Sequence, residues 1–201
     1  VAVSGGVDSS VLLHVLHQTQ PAHGGLLTVV TMDHGFRPEA AREVQMVSES
    51  SARLGLPCEI FTLDIEAGPN LAERARDSRR EALMGLGMDR IATGHHEDDQ
   101  SETVLYHLLR GSGVRGLSGM QSKSGIWVKP LLREPRSILE AWAVQEDLQW
   151  TEDPSNASSQ RGRLRSLMPD LDEIQGGATR ALARSARLLA REDEFMRNHV
   201  D

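Results

Sequence analysis

The chain has 201 residues, of which 39% are hydrophobic and 25% charged, with 22 Lys and Arg against 29 Asp and Glu for a net charge of −7. This is an ordinary balance for one or two globular domains, and the acidic excess argues against a generally cationic nucleic-acid binder. No run of 18 apolar residues suits a membrane span, the first residues do not read as a signal peptide, and a single cysteine, Cys58, excludes an internal disulfide framework. The cytoplasm is the expected address.

Taken in order, β-rich apolar runs fall at 1–3, 26–32, 58–63, 90–94 and 126–132, and segments with helical spacing at 8–19, 38–55, 70–87, 98–110 and 135–148. This alternation predicts a parallel five-stranded sheet with helices on both faces, with ligands held beyond the carboxyl ends of the strands. The first strand, only VAV, is short for the centre of such a sheet, so the natural chain is expected to begin upstream. A further helix rich in Ala, Leu and Arg is expected over 178–198, and the turn-rich stretches 111–125 and 153–162 read as loops.

The run SGGVDSS lies between VAV and the apolar helix pattern of Val11, Leu12, Leu13, Val15 and Leu16. Strand, glycine turn and helix start form an anion site, because glycine lets the backbone approach a ligand and the first-turn N–H groups point outward. No lysine precedes Ser9, so the nucleoside triphosphatase loop pattern is not met. Asp8 beside a pyrophosphate would repel it unless a cation lay between them, which points to Mg²⁺; as a plain structural feature, Asp8 and Ser9 would simply cap the helix.

The acids Glu97, Asp98 and Asp99 open the next-to-last of these helices, where the helix dipole alone would favour them. At the end of a strand they also suit a cation such as Mg²⁺. Adjacent His95 and His96 point in different directions, which disfavours zinc. GSGVRG (111–116) satisfies G-x-G-x-x-G but follows a helix, so it lacks the context of a dinucleotide fingerprint. Between 161 and 191 seven arginines (161, 163, 165, 180, 184, 187, 191) face only Asp170, Asp172 and Glu173. They make either a solvated helix face or a phosphate-contacting surface.

SGGVDSS resembles the SGGxDS signature of the PP-loop ATP pyrophosphatases, which split ATP between its α and β phosphates. MDHGFRPEA (32–40), NLAERARDSRREAL (70–83), ATGHHEDDQSET (92–103), LLRGSGVRGLSGM (108–120), VKPLL (128–132) and WTEDPSN (150–156) are similar to the tRNA(Ile)-lysidine synthetases within that superfamily. The resemblance runs from residue 1 to about residue 169. It implies a PP-loop, Rossmann-like adenine nucleotide alpha hydrolase fold over 1–169, followed by a helical extension, 170–201, that is a linker or the start of a tRNA-binding region. It further implies ATP and Mg²⁺ as cofactors, with L-lysine and an isoleucine tRNA of anticodon CAU as partners; no membrane is involved, and a homodimer is left open.

The activity so implied is adenylation of the cytidine O2 at the first anticodon position, followed by displacement of AMP by lysine at C2. Carried over residue by residue, the resemblance assigns Ser4, Gly5, Gly6, Val7, Asp8, Ser9, Asp33 and His34 to ATP. It assigns Asp8, His95, Asp98 and Asp99 to catalysis, and Asp8 and Asp99 to the metal. Arg37, Arg76, Arg79, Arg110, Gly111, Ser112, Gly113 and Arg115 fall to the substrate. Two departures stand out: Arg80 occupies the aromatic position of the pattern A-R-x-x-R-Y, and Gly162 replaces the asparagine of an Arg-Asn pair.

Overall fold

The computed structural model describes residues 1–33, 38–63, 68, 71–152 and 160–199. In chain order these form α1 (Val7–Gln18), α2 (Gln20–His23), β1 (Val29–Asp33), α3 (Pro38–Arg53), β2 (Cys58–Thr62), α4 (Leu71–Gly85), β3 (Ile91–Ala92), α5 (Glu97–Leu109) and α6 (Val114–Leu117). They continue with β4 (Lys123–Ser124), β5 (Trp127–Val128), α7 (Arg136–Gln145), α8 (Gln160–Ile174) and α9 (Ala178–His199).

The expected five-stranded parallel sheet is not what forms. β1 and β2 make a two-stranded parallel sheet in the register Val29↔Cys58 to Asp33↔Thr62, and β3, β5 and β4 make a three-stranded sheet in which β4 runs antiparallel to β5. Residues 1–3 contribute a single bridge, Ala2↔Val30, yet they tie the two sheets together. Val30 N–H donates to Val1 O at 2.8 Å, Val3 N–H to Val30 O at 2.9 Å, and Ala2 N–H to Ala92 O at 3.0 Å. The run 126–132 yields only two strand residues, since Pro130 has no N–H to give a ladder and the chain turns there. The stretch 111–125, read as loop, holds α6 and β4, and α8 begins inside the second expected loop.

Period-two alternation decides which helix covers which face. Val3 and Val29 pack with Leu13 of α1 and Val47 of α3, while Val30 and Ile91 turn the other way onto Leu83 of α4. Ala92 joins Val7, Val11 and Leu12 of α1 with Leu139 and Ala143 of α7. Helices therefore cover both faces, with α1, α3 and α7 on one and α4 on the other. Leu12 and Ala143 are fully buried in that first layer, which fixes where the amino end of α1 emerges at the carboxyl edge of the strands. Beyond β3, α5 packs against α8 and α9.

Candidate active site

The loop between residue 3 and α1 is held by its own polar atoms. Ser9 Oγ donates to Gly6 O at 3.0 Å and accepts from the Ser4 N–H at 3.1 Å, with Ser4 Oγ 3.2 Å away. Gly5 has φ +88°, a conformation that disfavours any side chain. Its carbonyl accepts from the Thr151 N–H at 2.9 Å, anchoring the loop to a residue distant in sequence. Gly6 is the N-cap of α1 in extended backbone, and no side chain caps the helix there. Val7 is buried in the core, which fixes the helix start, and no side chain caps its first N–H groups. The plain capping role open to Asp8 and Ser9 in the sequence is thus not taken up.

The end of β3 presses against this turn. A Cβ on Gly94 would lie 2.9 Å from Asp8 O and 3.0 Å from Ser9 N, backbone atoms that cannot yield by rotating. Sequence reading passed over Gly94, although a glycine directly after a strand is the available signal of close backbone approach.

His96, not His95, is the histidine that joins the two acidic elements. It is the N-cap of α5 and 1% exposed, and it forms a reciprocal cap: Asp99 N–H donates to His96 Nδ1 at 3.3 Å, and His96 N–H donates to Asp99 Oδ2 at 3.1 Å. Its Nε2 lies 3.3 Å from Asp99 Oδ2 and 3.6 Å from Asp8 Oδ2. Burial lowers its proton affinity, but the hydrogen bond to Asp8 and the charges of Asp99, Asp8 and Asp98 outweigh it and raise the pKa. Burial likewise raises the Asp8 carboxyl, yet the hydrogen bond and charge of His96, with Arg136 and Arg165, leave it below its ordinary value. Asp8 is a carboxylate at neutral pH. Its Oδ1 is buried without a hydrogen-bond partner, and Arg136 Nε stands 4.0 Å away.

Two arginines absent from the sequence-based assignment complete the wall. The Arg136 N–H donates to Asp98 Oδ2 at 3.2 Å, so α7 starts on α5, while the Arg136 side chain pairs with Glu140 at 3.0 Å. From α8, Arg165 reaches Glu102 Oε1 at 2.6 Å and Asp99 Oδ1 at 3.6 Å. Glu102 is 2% exposed, and its hydrogen bond raises the Arg165 pKa. Glu102 falls in the predicted helix 98–110 and Arg165 in none, and their pairing spans 63 residues of sequence and gives no local signal.

His95 faces a different company. Its Nδ1 is 2.9 Å from Thr93 Oγ1, and burial, reinforced by Lys129, Arg161 and Arg79 against the pull of Asp99, lowers its pKa to about 4. It is a neutral imidazole at pH 7. Arg79 itself is lowered by burial and by Arg76. Arg80 stacks over Trp127 at 4.8 Å, so the residue at the aromatic position of the family pattern meets an aromatic ring from β5.

Not every assigned residue converges on this centre. Arg110 bonds and stacks with Tyr106, Ser112 Oγ lies 3.4 Å from His107 Nδ1, and Gly111, Gly113 and Arg115 are exposed. They stand at the opposite end of α5 from Asp98, about 18 Å along the helix at 1.5 Å per residue. Asp33 ends β1 at the same edge as the loop, whereas His34 and Arg37 lie outside the described residues.

An uncapped helix start at the carboxyl edge of a parallel α/β sheet, with a carboxylate held against it, is a nucleotide-phosphate architecture. Residues 1–171 match the family of the PP-loop domain, and the chain belongs to that family. Within it, the chain is 38% identical over 208 residues to the tRNA(Ile)-lysidine synthase of Alkalilimnicola ehrlichii, covering 98% of this chain and 47% of that protein. It is 40% identical over 204 residues to the tRNA(Ile)-lysidine synthase of Bradyrhizobium diazoefficiens, covering 95% and 56%. The chain thus spans about half the length of these curated relatives. Among solved structures, the U34-tRNA thiolase NcsA from Methanococcus maripaludis, described with its 4Fe–4S cluster, shares the fold at a TM-score of 0.76 and 19% identity, over 100% of this chain and 71% of that one.

Proposed function

We propose that this chain is the catalytic part of an enzyme that ligates L-lysine to C2 of the cytidine at the first anticodon position of an isoleucine tRNA with anticodon CAU. ATP first adenylates the cytidine O2, releasing pyrophosphate, and lysine then displaces AMP. The observation that carries this reading is the buried, partnerless Oδ1 of Asp8 beside the uncapped start of α1, in a chain so similar to tRNA(Ile)-lysidine synthases. Residues 1–169 form the ATP-binding unit in this reading, and 170–201 lead toward tRNA. The reaction takes place in the cytoplasm, and no helix among the described residues is long and apolar enough to cross a membrane.

The phosphates rest against the uncapped start of α1 at Val7, Asp8 and Ser9, with Ser4 at the mouth and Asp33 toward the ribose and base. No cage of three or more His, Cys, Asp and Glu side chains exists among the described residues. A single orphaned carboxylate oxygen suits Mg²⁺, which takes one or two carboxylates and completes its shell with water and phosphate. Asp8 would hold it, with Asp99 behind at the far side of His96. When bound, Mg²⁺ neutralises charge on the phosphates. His96, Arg136 and Arg165 keep Asp8 ionised, while Arg79, Lys129 and Arg161 give the crevice a cationic rim around His95.

Lysine must attack as a neutral amine, and Asp98 supports the proton transfer: one oxygen is held by the Arg136 N–H, leaving Oδ1 to accept. Positioning and electrostatics supply most of the rate, and no covalent nucleophile is required. A thiolase reading is less well supported. The one cysteine, Cys58, stands at the start of β2, and burial pushes its thiol up, with Glu59 adding to this, which is the reverse of the activation a sulfur carrier needs.

The test is incubation of the intact protein with unmodified isoleucine tRNA, ATP, Mg²⁺ and labelled lysine. Label in the tRNA that depends on ATP is the expected outcome; tight ATP and tRNA binding with no label transferred would overturn the reading. In the same assay Asp8→Ala removes transfer while tRNA binding survives.

A further inference from the structure

The arginine-rich stretch near the end of the chain has no part in the chemistry above. In α9, Arg180, Arg184, Arg187 and Arg191 recur at intervals of four, three and four, so they share one face of the helix. The flank beside it is closed: Ala183 and Ala186 are fully buried where α9 packs on α5. Arg187 is committed inward to Glu97, which is 6% exposed in its side chain, at 3.2 Å. Arg180, Arg184 and Arg191 are exposed and pair with no carboxylate among the described residues. In a chain of net charge −7, these three guanidinium groups against Glu194 give one helix face a local positive excess.

The stripe ends in a concavity of about 310 Å³ between α9 and residues 118–122. Arg133, exposed and likewise without an acidic partner among the described residues, enters it beside Arg191 and Ser122; Glu194 is its one carboxylate. Ser118, buried in its wall, donates to Arg115 O at 2.7 Å, which ties the concavity to the glycine-rich stretch holding Arg110 and Arg115.

We propose that Arg180, Arg184 and Arg191, with Arg133 at the end of the stripe, form a docking surface for the phosphate backbone of RNA, lying apart from the ATP crevice. Arg180 to Arg191 spans about 16 Å of helix, enough to meet several phosphates of one strand. Guanidinium groups bind phosphate oxygens bidentately, and such contacts fix position without reading sequence. Leu188, Phe195 and Met196 of α9 are exposed, so an anionic lipid surface is the rival occupant that the vesicle arm of the test addresses. The partner inferred here rests on the proposed function, since a tRNA substrate has to be held at points remote from its anticodon.

The measurement is the affinity of the intact protein for unmodified isoleucine tRNA across a salt series, without ATP or lysine. The Arg180→Gln, Arg184→Gln, Arg191→Gln triple variant changes only exposed side chains. Its Kd is expected to rise ~10-fold or more near 0.1 M salt, and the slope of log Kd against log salt to flatten by about 2 to 3, at 0.7 to 0.9 per lost phosphate contact. The matching triple Lys variant keeps the slope. An unchanged Kd and slope in the Gln variant would overturn the proposal, as would a loss of binding to vesicles of phosphatidylglycerol with tRNA binding intact. Because this binding is read without catalysis, a failure of lysine transfer would sink the proposed reaction and leave the surface standing.

Discussion

Replacing His95 by glutamine removes a titration that the fold suppresses. The imidazole sits beside Thr93, buried and facing Lys129, Arg161 and Arg79, and its pKa falls from 6.5 to about 4. In the unfolded chain the same ring titrates normally, so between pH 6.5 and 4 the unfolded state binds a proton that the folded state refuses. Stability is therefore fully present above pH 6.5 and drains away as pH falls toward 4, at up to 1.36 kcal/mol per pH unit, or about 3 kcal/mol over the whole window. Asp8, also depressed, loses its contribution in the acid direction too, whereas His96, raised, works the other way from 6.5 upward. Urea unfolding at half-unit steps from pH 4 to pH 8 measures the slope, and the difference between wild type and His95→Gln isolates this ring. Glutamine keeps a polar partner for Thr93 and has no proton to gain. The variant should lose less stability than the wild type across pH 6.5 to 4 by about the amount above; parallel curves would show that His95 is not held neutral by its surroundings.

Two further changes probe the frame of the crevice. Gly94→Ala places a methyl group 2.9 to 3.0 Å from the backbone of Asp8 and Ser9, so the phosphate loop must shift. A displacement approaching 1 Å costs ~100-fold in kcat/KM for ATP, and wild-type kinetics in that variant would refute the close approach. Arg165→Ala leaves Glu102, 2% exposed, without its partner and releases α8 from α5. Because Arg165 is half-exposed and Glu102 buried, losing the pair from the arginine side costs about 1 to 2 kcal/mol, and the double variant Arg165→Met, Glu102→Leu should recover most of it in urea unfolding. A single variant as stable as the wild type would show that the pair contributes nothing.

Legibility followed the range of the interactions involved. Helix α1 and the loop before it were readable because strand, glycines, Asp8 and apolar spacing are contiguous, and α5 because its acids cluster in one turn. The sheet was not: a two-residue β5 and the antiparallel β4 depend on pairing with β3, which spacing within each run cannot report. His95 and His96 show the same limit. As neighbours they look alike in sequence, but one caps α5 between two carboxylates and the other is turned toward a cationic rim, a distinction made by residues 8, 79, 129 and 161. Arg136 carried no motif and Arg165 only the basic run 161–165, and their roles arise only where α7 and α8 meet α5.

In the proposed reaction the loop at the start of α1 presents ATP for attack at its α phosphate by a tRNA base. The direct test supplies the intact protein with unmodified isoleucine tRNA, Mg²⁺ and ATP radiolabelled at the α phosphate, and withholds lysine. The account predicts label accumulating on the tRNA, released as AMP when lysine is added and absent with Asp8→Ala. Cleavage of ATP with no label ever reaching the tRNA, or formation of ADP in place of AMP, would contradict it.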